Sequence, residues 1–526
     1  MPSNPERYAD GADLTPPPTG PGQITQTFDE STILITGGTG FLGQILVNKL
    51  LYTCIKIKKI FLIIRPKKGK SSEDRLEEMF ASMIFDKMKQ NVRNYREKVI
   101  AINGDCSLSN LGLTEDDRLT LIRETNFIFH CAATKNFNEN LRLAVQINVR
   151  AVRDLINMAS KMQELKAFLH LSTLYANYPN KEIDEKFYNV PMHYEKLISL
   201  VSVLDDHNLK LITPSLLGKW PNVYFFTKAM AENVIRDSNE EVPITIVRPS
   251  IAVATLLEPV AGWINNSDGP TGILCGIEMG LLHTLFTNSD TLMDIIPADY
   301  IINLIIAAVW DVSYTRKVTE NHEVLTKTPP IPIYNFLPSS CNPLTSAQFL
   351  ENAKNASSEI PSMKQLWKRF CRITSKKYVL LFYLFAFHYM PAFLIDATLF
   401  ITGKTPKLIS AYNRLHKSVK SMEFLHNKHW LIRDTKTQKL FKKLCDVDRL
   451  NFNFDLSEMR WDVYFLIYMR GIRVYLLNDP LDTIPKAQER NLFFKIAHYL
   501  LCLSLVTSSY KLFSIVFSEK FVNFYD

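Results

Sequence analysis

Residues 32–47, with the sequence TILITGGTGFLGQILV, determine the fold class that we predict for this chain. The run 32–35 is short, apolar and rich in β-branched residues, which predicts a strand, and the apolar residues from 41 onward recur at helical spacing. The glycines therefore lie at a strand-to-helix turn. Such a turn is typical of a dinucleotide-binding α/β fold, in which free N–H groups at the helix N-terminus hold phosphates.

Each glycine of this turn has its own role in that interpretation. Gly37 permits the tight turn, Gly40 lets the backbone approach a pyrophosphate, and Gly43 lets the helix and the strand pack closely. The spacing is GxxGxxG rather than GxGxxG, and a glycine-rich turn without a ligand is the alternative. We predict that the whole segment contacts the cofactor, through Thr36, Gly37, Thr39, Gly40, Phe41, Leu42 and Gly43.

The end of the second predicted strand indicates which cofactor is bound. The apolar run 60–64 is followed by Arg65, where an NAD-binding protein usually has Asp or Glu for the ribose hydroxyl. A planar guanidinium suits a 2′-phosphate, so we predict NADPH. We interpret the lysines of the following loop, Lys67, Lys68 and Lys70, as a solvated basic surface.

Further strand ends are expected to complete the cofactor cleft, because ligands bind beyond the carboxyl ends of parallel strands. Asp105 follows the run 99–102 and is predicted to cap the adenine edge, and Ala132 follows the run 127–130 and is predicted to face the nicotinamide ribose. Pro249 follows the run 244–247 and is predicted to shape the nicotinamide end. The histidines within two of the runs, His130 and His170, are expected to be buried and structural.

Tyr224 and Lys228 are the predicted proton-transfer pair. They are four residues apart in a predicted helix, so they share one face, although an ordinary helix face gives the same spacing. Tyrosine has a pKa of about 10, and we expect the lysine cation to lower the pKa and to bind the nicotinamide ribose. Tyr224 then donates a proton to a carbonyl oxygen. Thr173 is predicted to share that oxygen, with Ser172 as the alternative.

In combination, these motifs resemble the extended short-chain dehydrogenase/reductases, and more closely the fatty acyl-CoA reductases. The resemblance covers nearly the whole chain after residue 30, and the matching segments are LIIRPKKGK at 62–70, LSTLYAN at 171–177, PNVYFFTK at 221–228, GPTG at 269–272, DIIPADYIIN at 294–303, MPAFLID at 390–396 and GIRVYLL at 471–477. It implies a Rossmann-like doubly wound parallel sheet with a substrate-binding extension and a mainly helical C-terminal domain.

The resemblance also implies an activity: reduction of a long-chain fatty acyl-CoA by NADPH to a primary fatty alcohol, through an aldehyde-level intermediate and with release of CoA. The region 251–343 is then expected to supply the acyl-binding wall. Two other interpretations fit the motifs. One is a different extended short-chain enzyme, either a sugar-nucleotide epimerase or a hydroxysteroid dehydrogenase, and the other is a catalytically silent Rossmann scaffold on a membrane.

Composition indicates a domain order and a membrane setting. We predict a disordered tail at 1–27, a reductase domain at 28–343, a helical domain at 344–480 and a C-terminal apolar segment at 481–526. Apolar stretches at 378–400 and 493–517 reach the length that spans a bilayer once their polar interruptions are accepted, so we expect membrane association and at least one crossing. We expect an endoplasmic reticulum or peroxisomal membrane, with the catalytic domain facing the cytosol.

Net charge and cysteine spacing indicate which classes of binding partner the chain has. The net charge of +8 suits anionic cofactors, CoA or a membrane surface, and no basic patch with interleaved aromatic residues indicates nucleic acid. The eight cysteines are scattered and form no CxxC pair, so we predict neither a metal site nor a disulfide framework. The sequence leaves a homodimer open.

Overall fold

The computed structural model describes residues 22–238, 242–321, 330–426, 428 and 430–522. The expected tail therefore lies outside the described residues up to position 21. The prediction is wrong for its last part, because Gln23–Thr27 forms a short helix. The N–H groups of Gln23 and Ile24 donate to the carboxylate of Asp448, and the Ile24 side chain is fully buried. These long-range contacts fix the segment.

The elements alternate between strands and helices through the first half of the described chain. The strands are β1 Thr32–Thr36, β2 Lys59–Ile64, β3 Val99–Asn103, β4 Phe127–His130, β5 Ala167–Leu171, β6 Glu182–Ile183, β7 Ile244–Pro249, β8 Ile251–Val253, β9 Thr284–Phe286, β10 Ile295–Pro297, β11 Ile333–Phe336, β12 Arg372–Thr374 and β13 Leu431–Ile432.

Helices cover both faces of the main sheet and make up most of the second half. They are α1 Gln23–Thr27, α2 Phe41–Thr53, α3 Ser72–Phe80, α4 Asp86–Asn91, α5 Tyr95–Lys98, α6 Glu115–Glu124, α7 Leu141–Val145, α8 Ala151–Ala159, α9 Tyr194–Val203, α10 Asp206–Leu217, α11 Val223–Asp237, α12 Pro270–Glu278, α13 Ala298–Asn321, α14 Ser346–Glu359, α15 Lys377–Tyr383, α16 Met390–Ile401, α17 Leu408–His426, α18 Thr435–Lys443, α19 Asp446–Asn451, α20 Trp461–Gly471 and α21 Ile484–Val522.

The main sheet has seven strands in the order β11-β7-β5-β4-β1-β2-β3, and every neighbouring pair is parallel. Its central strands are buried on both faces: in β1, Ile33 and Ile35 belong to one core cluster and Leu34 to the other. This explains the continuous apolar runs of the sequence. The predicted Rossmann-like doubly wound fold is confirmed.

The C-terminal region is attached to the α/β part through strands as well as helices. β12 pairs with β9, and β13 pairs with β6. Beside β13, the carboxylate of Glu185 accepts the backbone N–H groups of Lys436 and Thr437. Two small parallel strand pairs and the Glu185 carboxylate therefore attach the C-terminal region to the α/β part.

Two helical stretches are long and apolar enough to cross a membrane, judged by length and composition alone: Lys377–Ile401 and Leu481–Lys511. The first consists of α15, a π-helical segment Leu384–Tyr389 and α16. Most apolar side chains of both stretches are exposed. The polar residues that interrupt the first stretch, His388 and Asp396, are instead buried against α17.

Candidate active site

The glycine turn between β1 and α2 admits no larger side chains at two positions. Gly37 has φ of 74°, and a Cβ there would lie 2.7 Å from the backbone nitrogen of Ala132. A Cβ on Gly43 would lie 2.1 Å from the carbonyl oxygen of Gly37. No side chain caps the start of α2 at Gly40, so its first N–H groups face the turn without a side-chain partner. The geometry fits a pyrophosphate cradle.

Two arginines converge beside this turn. Arg65 follows β2 and lies 3.8 Å from the carboxylate of Asp105. Arg75, on α3, donates to the Arg65 carbonyl oxygen at 2.6 Å and to the Thr39 hydroxyl at 3.1 Å. Partial burial and the adjacent Arg65 charge lower the pKa of Arg75. Sequence reasoning missed Arg75, because a single arginine ten residues after Arg65 has no motif.

Thr36 and Ala132 hold the turn against the end of β4. The Thr36 hydroxyl is 2.7 Å from Nδ1 of His130, and it accepts the backbone N–H of Ala132 at 3.2 Å. Because Thr36 is fully buried, its side chain supports the turn rather than lining the cleft. His130 and His170 are both buried, as predicted, and burial lowers the pKa of His130 to about 3.

The Tyr224–Lys228 pair lies on α11. Asn222 caps this helix by accepting the N–H of Phe225 at 2.9 Å, which puts Tyr224 in the first turn and Lys228 one turn later. The Lys228 ammonium donates to the Leu171 carbonyl oxygen at 2.6 Å, at the end of β5. Burial lowers the pKa of Lys228 to about 8.

The expected lowering of the Tyr224 pKa is wrong. Burial raises the pKa of Tyr224 to about 12, and Lys228 contributes nothing to this shift. The reason is the direction of the lysine side chain, whose ammonium is bonded to the Leu171 carbonyl and lies 3.3 Å from Nε2 of His170. Tyr224 therefore stays protonated at neutral pH.

The two hydroxyls after β5 have different partners. Ser172 donates to the Glu232 carboxylate at 2.5 Å, and Glu232 is in turn paired with the fully buried Arg248 at 2.6 Å. Within the described part of the chain, the Thr173 hydroxyl has only long contacts, 3.4 Å to the carbonyl oxygen of Pro249 and 3.4 Å from the N–H of Tyr175. Thr173 is therefore the freer of the two to bind another oxygen.

Asn148 is a second residue that sequence reasoning missed. It lies in the π-helical segment Gln146–Arg150, a local widening that is frequent at functional sites. Its amide joins the loop after β4 to α11, because it bonds both backbone groups of Thr134 and the Thr227 hydroxyl, the latter at 2.9 Å. In the sequence, the available signal was an Asn among apolar residues, because its burial is visible only in the structure.

An aromatic surface surrounds Tyr224. It comprises Phe137, Tyr175, Tyr178, Phe225 and Trp430. The Phe137 ring stacks on Tyr224 with centroids 6.0 Å apart, and Trp430 contacts Tyr175 and Tyr178 edge-on at 5.8 and 5.5 Å. Trp430 comes from the C-terminal region, directly before β13. The C-terminal region thus contributes to the surroundings of the tyrosine.

The region 251–343 borders a separate apolar cavity of about 410 Å³. Its wall includes Ile273, Leu285, Phe286 and Met293 from that region, and Leu384 from the first apolar stretch. The volume is within the range of about 300–1,000 Å³ that small-molecule sites occupy. Trp263, by contrast, is buried and stacks on the Phe41 ring at 5.4 Å as part of the core. That the acyl chain enters this cavity stays a prediction.

Other reactive groups near the cleft are inert. Burial raises the pKa of the Cys131 thiol to about 12, so it is not a thiolate nucleophile at neutral pH. Among the described residues, no three His, Cys, Asp or Glu side chains are grouped so as to hold a metal ion.

Comparisons with known proteins show the family of the chain. Two family models, both described as "Male sterility protein", match residues 35–305 and 387–479. Fatty acyl-CoA reductase wat of Drosophila melanogaster is 34% identical over 474 residues, which cover 90% of this chain and 89% of that protein. Fatty acyl-CoA reductase 2 of Homo sapiens is 34% identical over 489 residues, which cover 93% of each chain.

Solved structures resemble the chain in fold alone. The reductase domain of a nonribosomal peptide synthetase from Mycobacterium tuberculosis has a TM-score of 0.56 at 17% identity, covering 90% of this chain and 97% of that one. The terminal R domain from the myxalamid biosynthetic pathway has a TM-score of 0.54 at 16% identity, with the same coverage.

Proposed function

This chain belongs to the fatty acyl-CoA reductase family, and we propose that it reduces a long-chain fatty acyl-CoA to a primary fatty alcohol with NADPH and releases CoA. One observation carries the assignment of the catalytic groups. Lys228 is bonded to the last residue of β5, two residues before Thr173, and Tyr224 is one helical turn before Lys228. Lys228 thereby reaches the carboxyl end of β5, which only β4 separates from β1 and its glycine turn.

The choice of NADPH rests on the two arginines beside the turn. The Arg75 guanidinium bonds the backbone carbonyl of Arg65, partial burial and the Arg65 charge lower the pKa of Arg75, and Asp105 is the carboxylate near Arg65. Two neighbouring arginine cations are stabilised by an anion between them, and the planar guanidinium group matches the geometry of a phosphate. We therefore assign both arginines to the 2′-phosphate, with Asp105 at the adenosine side.

NADPH, when bound, supplies hydride to the acyl carbon in each of two reduction steps. In the first step the thioester carbonyl becomes a hemithioacetal, which collapses to the aldehyde and CoA thiol. In the second step the aldehyde becomes the alcohol. Tyr224, protonated at neutral pH, donates a proton to the substrate oxygen, and the Thr173 hydroxyl donates a hydrogen bond to the same oxygen. Lys228 holds its cation against the strand end and orients the cofactor ribose.

A covalent thioacyl intermediate on the chain is not part of this mechanism. Cys131 is the cysteine next to the predicted ribose contact at Ala132, and its raised pKa keeps it a thiol. The acyl group therefore stays on CoA until the hemithioacetal collapses.

The aromatic surface around Tyr224 supports an apolar acyl group. Rings from Phe137 and Phe225 flank the tyrosine, and Trp430 closes the far side. Such a surface excludes water from the reacting oxygen and stabilises the acyl chain by burial, at roughly 0.8 kcal/mol per methylene. A sugar-nucleotide substrate would instead need polar partners.

We propose that the protein acts at an endoplasmic reticulum or peroxisomal membrane with its catalytic part in the cytosol. The exposed apolar faces of Lys377–Ile401 and Leu481–Lys511 support membrane attachment. Co-localisation of the tagged full chain with markers of the two organelles tests the location.

Purified full-length protein tests the activity. With NADPH and palmitoyl-CoA we expect NADPH oxidation, free CoA and hexadecanol, and an inactive protein across several chain lengths would contradict the proposal. The Tyr224→Phe variant should lose at least 100-fold in turnover. It should bind NADPH as the parent does, which separates a catalytic loss from a cofactor loss. Near-normal turnover would remove Tyr224 from the mechanism.

A further inference from the structure

The first apolar stretch, Lys377–Ile401, is flanked on both sides by strands of the same folded unit. Before it, β12 pairs with β9, and after it, β13 pairs with β6. The chain therefore leaves the α/β part at residue 374 and returns to it at residue 431. Both ends of this segment must lie on one side of any membrane, so the number of crossings between them is even.

Only one candidate span lies between those strands in the described part of the chain. The other helix in the interval, α17, would have to be the return crossing. Its exposed side chains include Arg414, Lys417 and Lys420. Each charged group at the centre of a bilayer costs at least about 2.5 kcal/mol on insertion scales. Since α17 is not a crossing, Lys377–Ile401 is not one either.

The burial pattern of the stretch fits a helix lying in the membrane surface. His388, Ala392 and Asp396, spaced four apart, are buried along one face. The opposite side of α16 carries Met390, Leu394 and Ile401, which are all exposed. Protein covers only the His388 side of this described stretch, and the remaining apolar surface is left for the acyl region of one leaflet.

The buried face is held by α17 through polar contacts. The Asp396 carboxylate accepts the N–H groups of Lys407, Leu408 and Ile409 at 2.9–3.0 Å and so caps the start of α17. Nδ1 of His388 lies 2.7 Å from Nε2 of His416. The polar interruptions of the apolar stretch therefore face protein, and they do not require an aqueous pore.

We propose that residues 377–426 form a monotopic hairpin that enters one leaflet only, through the outer face of Lys377–Ile401. The inference rests on the membrane association proposed above. The turn at 402–407 has exposed lysines at Lys404 and Lys407, which reach the headgroups on the same side as the catalytic part. Of the two candidate stretches, Leu481–Lys511 remains the one that crosses.

Labelling in sealed vesicles tests the topology. Full-length Lys404→Cys protein is reconstituted, and vesicles with the catalytic part outside are treated with a membrane-impermeant maleimide and analysed peptide by peptide. Cys341, which is exposed on the α/β part, is the same-side reference, and Cys502, within the second stretch, is the bilayer reference. We expect the cysteine at 404 to react together with Cys341 before permeabilisation.

Reaction at position 404 only after permeabilisation would overturn the one-leaflet hairpin and leave membrane attachment and activity intact. Failure of the protein to sediment with vesicles would instead overturn the attachment itself. The two failures are thus distinguishable.

Insertion depth provides the second measurement. A bimane label on Phe393→Cys should be quenched more strongly by a nitroxide near the headgroup than by one near the bilayer centre. The same label on Lys417→Cys, on the outer side of α17, is the control and should be quenched weakly by both. Strongest quenching of the 393 label from the bilayer centre, or no quenching, would contradict the proposal.

Discussion

Arg75 connects the glycine turn to the end of β2, since its guanidinium bonds both the Thr39 hydroxyl and the Arg65 carbonyl oxygen. If it also binds the 2′-phosphate, Arg75→Ala removes a charge-assisted hydrogen bond of about 1.5–3 kcal/mol. We expect the KM for NADPH to rise about 10- to 100-fold, while that for NADH changes little. Steady-state kinetics with both cofactors measure this.

The matched control is Arg93→Ala, which removes an exposed arginine elsewhere on the same part of the chain. It should leave the KM for NADPH and the KM for NADH unchanged. An equal loss for NADPH and NADH in Arg75→Ala would remove Arg75 as a phosphate contact and leave it a support of the turn.

Lys228 is a buried cation whose charge costs stability. Its pKa in the folded protein is about 8, below the usual 10.5, because burial disfavours the charged form. The resulting loss in the free energy of unfolding is complete below pH 8, and it decreases as the pH rises towards the lysine pKa of the unfolded chain. Lys228→Met should therefore raise the free energy of unfolding at pH 7 by about 1–2 kcal/mol after the lost hydrogen bond is subtracted, and the melting temperature should rise with it.

Thermal unfolding of the full chain at pH 7 and pH 9.5 checks the sign. The stability that Lys228→Met gains over the parent should be smaller at pH 9.5, where Lys228 is neutral in the folded protein. The variant should lack NADPH-dependent activity at both pH values. Lys219→Met, which removes an exposed lysine just before α11, is the control and should show no such pH dependence. A variant less stable at pH 7 than the parent would contradict this account.

At the scale of elements, the segment before β13 brings Trp430 to the aromatic surface around Tyr224. Trp430→Ala opens that surface, so we expect the KM for palmitoyl-CoA to rise about tenfold, with a smaller effect on an octanoyl-CoA substrate and none on NADPH binding. Trp430→Phe keeps a ring and should restore most of the affinity. An equal effect on both chain lengths would place the acyl chain elsewhere.

Sequence patterns predicted the elements better than the directions of side chains. The β1–α2 turn and the shared face of Tyr224 and Lys228 follow from spacing, which fixes backbone geometry. The Tyr224 pKa was predicted in the wrong direction, because spacing does not reveal that the Lys228 ammonium is bonded to Leu171. The helix at Gln23–Thr27 was missed for a related reason: its stabilising partner, Asp448, is distant in sequence.

The same limit applies to the membrane segments. Composition alone identified both apolar stretches, but hydropathy treats each as an independent helix. The even number of crossings between residues 374 and 431 follows from β12 and β13. These are two short strands that only their tertiary pairing reveals. Long-range contacts therefore decide the topology.

At the scale of the whole molecule, Gly471 lies where a C-terminal helix and the loop of Gly262 leave no room for a side chain. A Cβ on Gly471 would lie 1.7 Å from the carbonyl oxygen of Gly262, and one on Gly262 would lie 2.4 Å from the carbonyl oxygen of Ile467. Both neighbours are backbone atoms, which cannot rotate away. Gly471→Ala must therefore separate α20 from the loop that contains Gly262, and we expect a loss of at least about 1–3 kcal/mol.

Gly276→Ala is the matched control, since Gly276 also lies within a helix but its added Cβ would meet side-chain carbons at 3.2 and 3.3 Å, which can shift. Thermal unfolding of both variants should show the larger loss for Gly471→Ala. Because Tyr464 and Tyr468 of α20 bond Ala254 and Thr271 in the region expected to supply the acyl-binding wall, the same variant should also lower palmitoyl-CoA turnover. Equal stability of the two variants would contradict this prediction, because it would mean that the backbone at Gly262 makes room for a side chain at position 471.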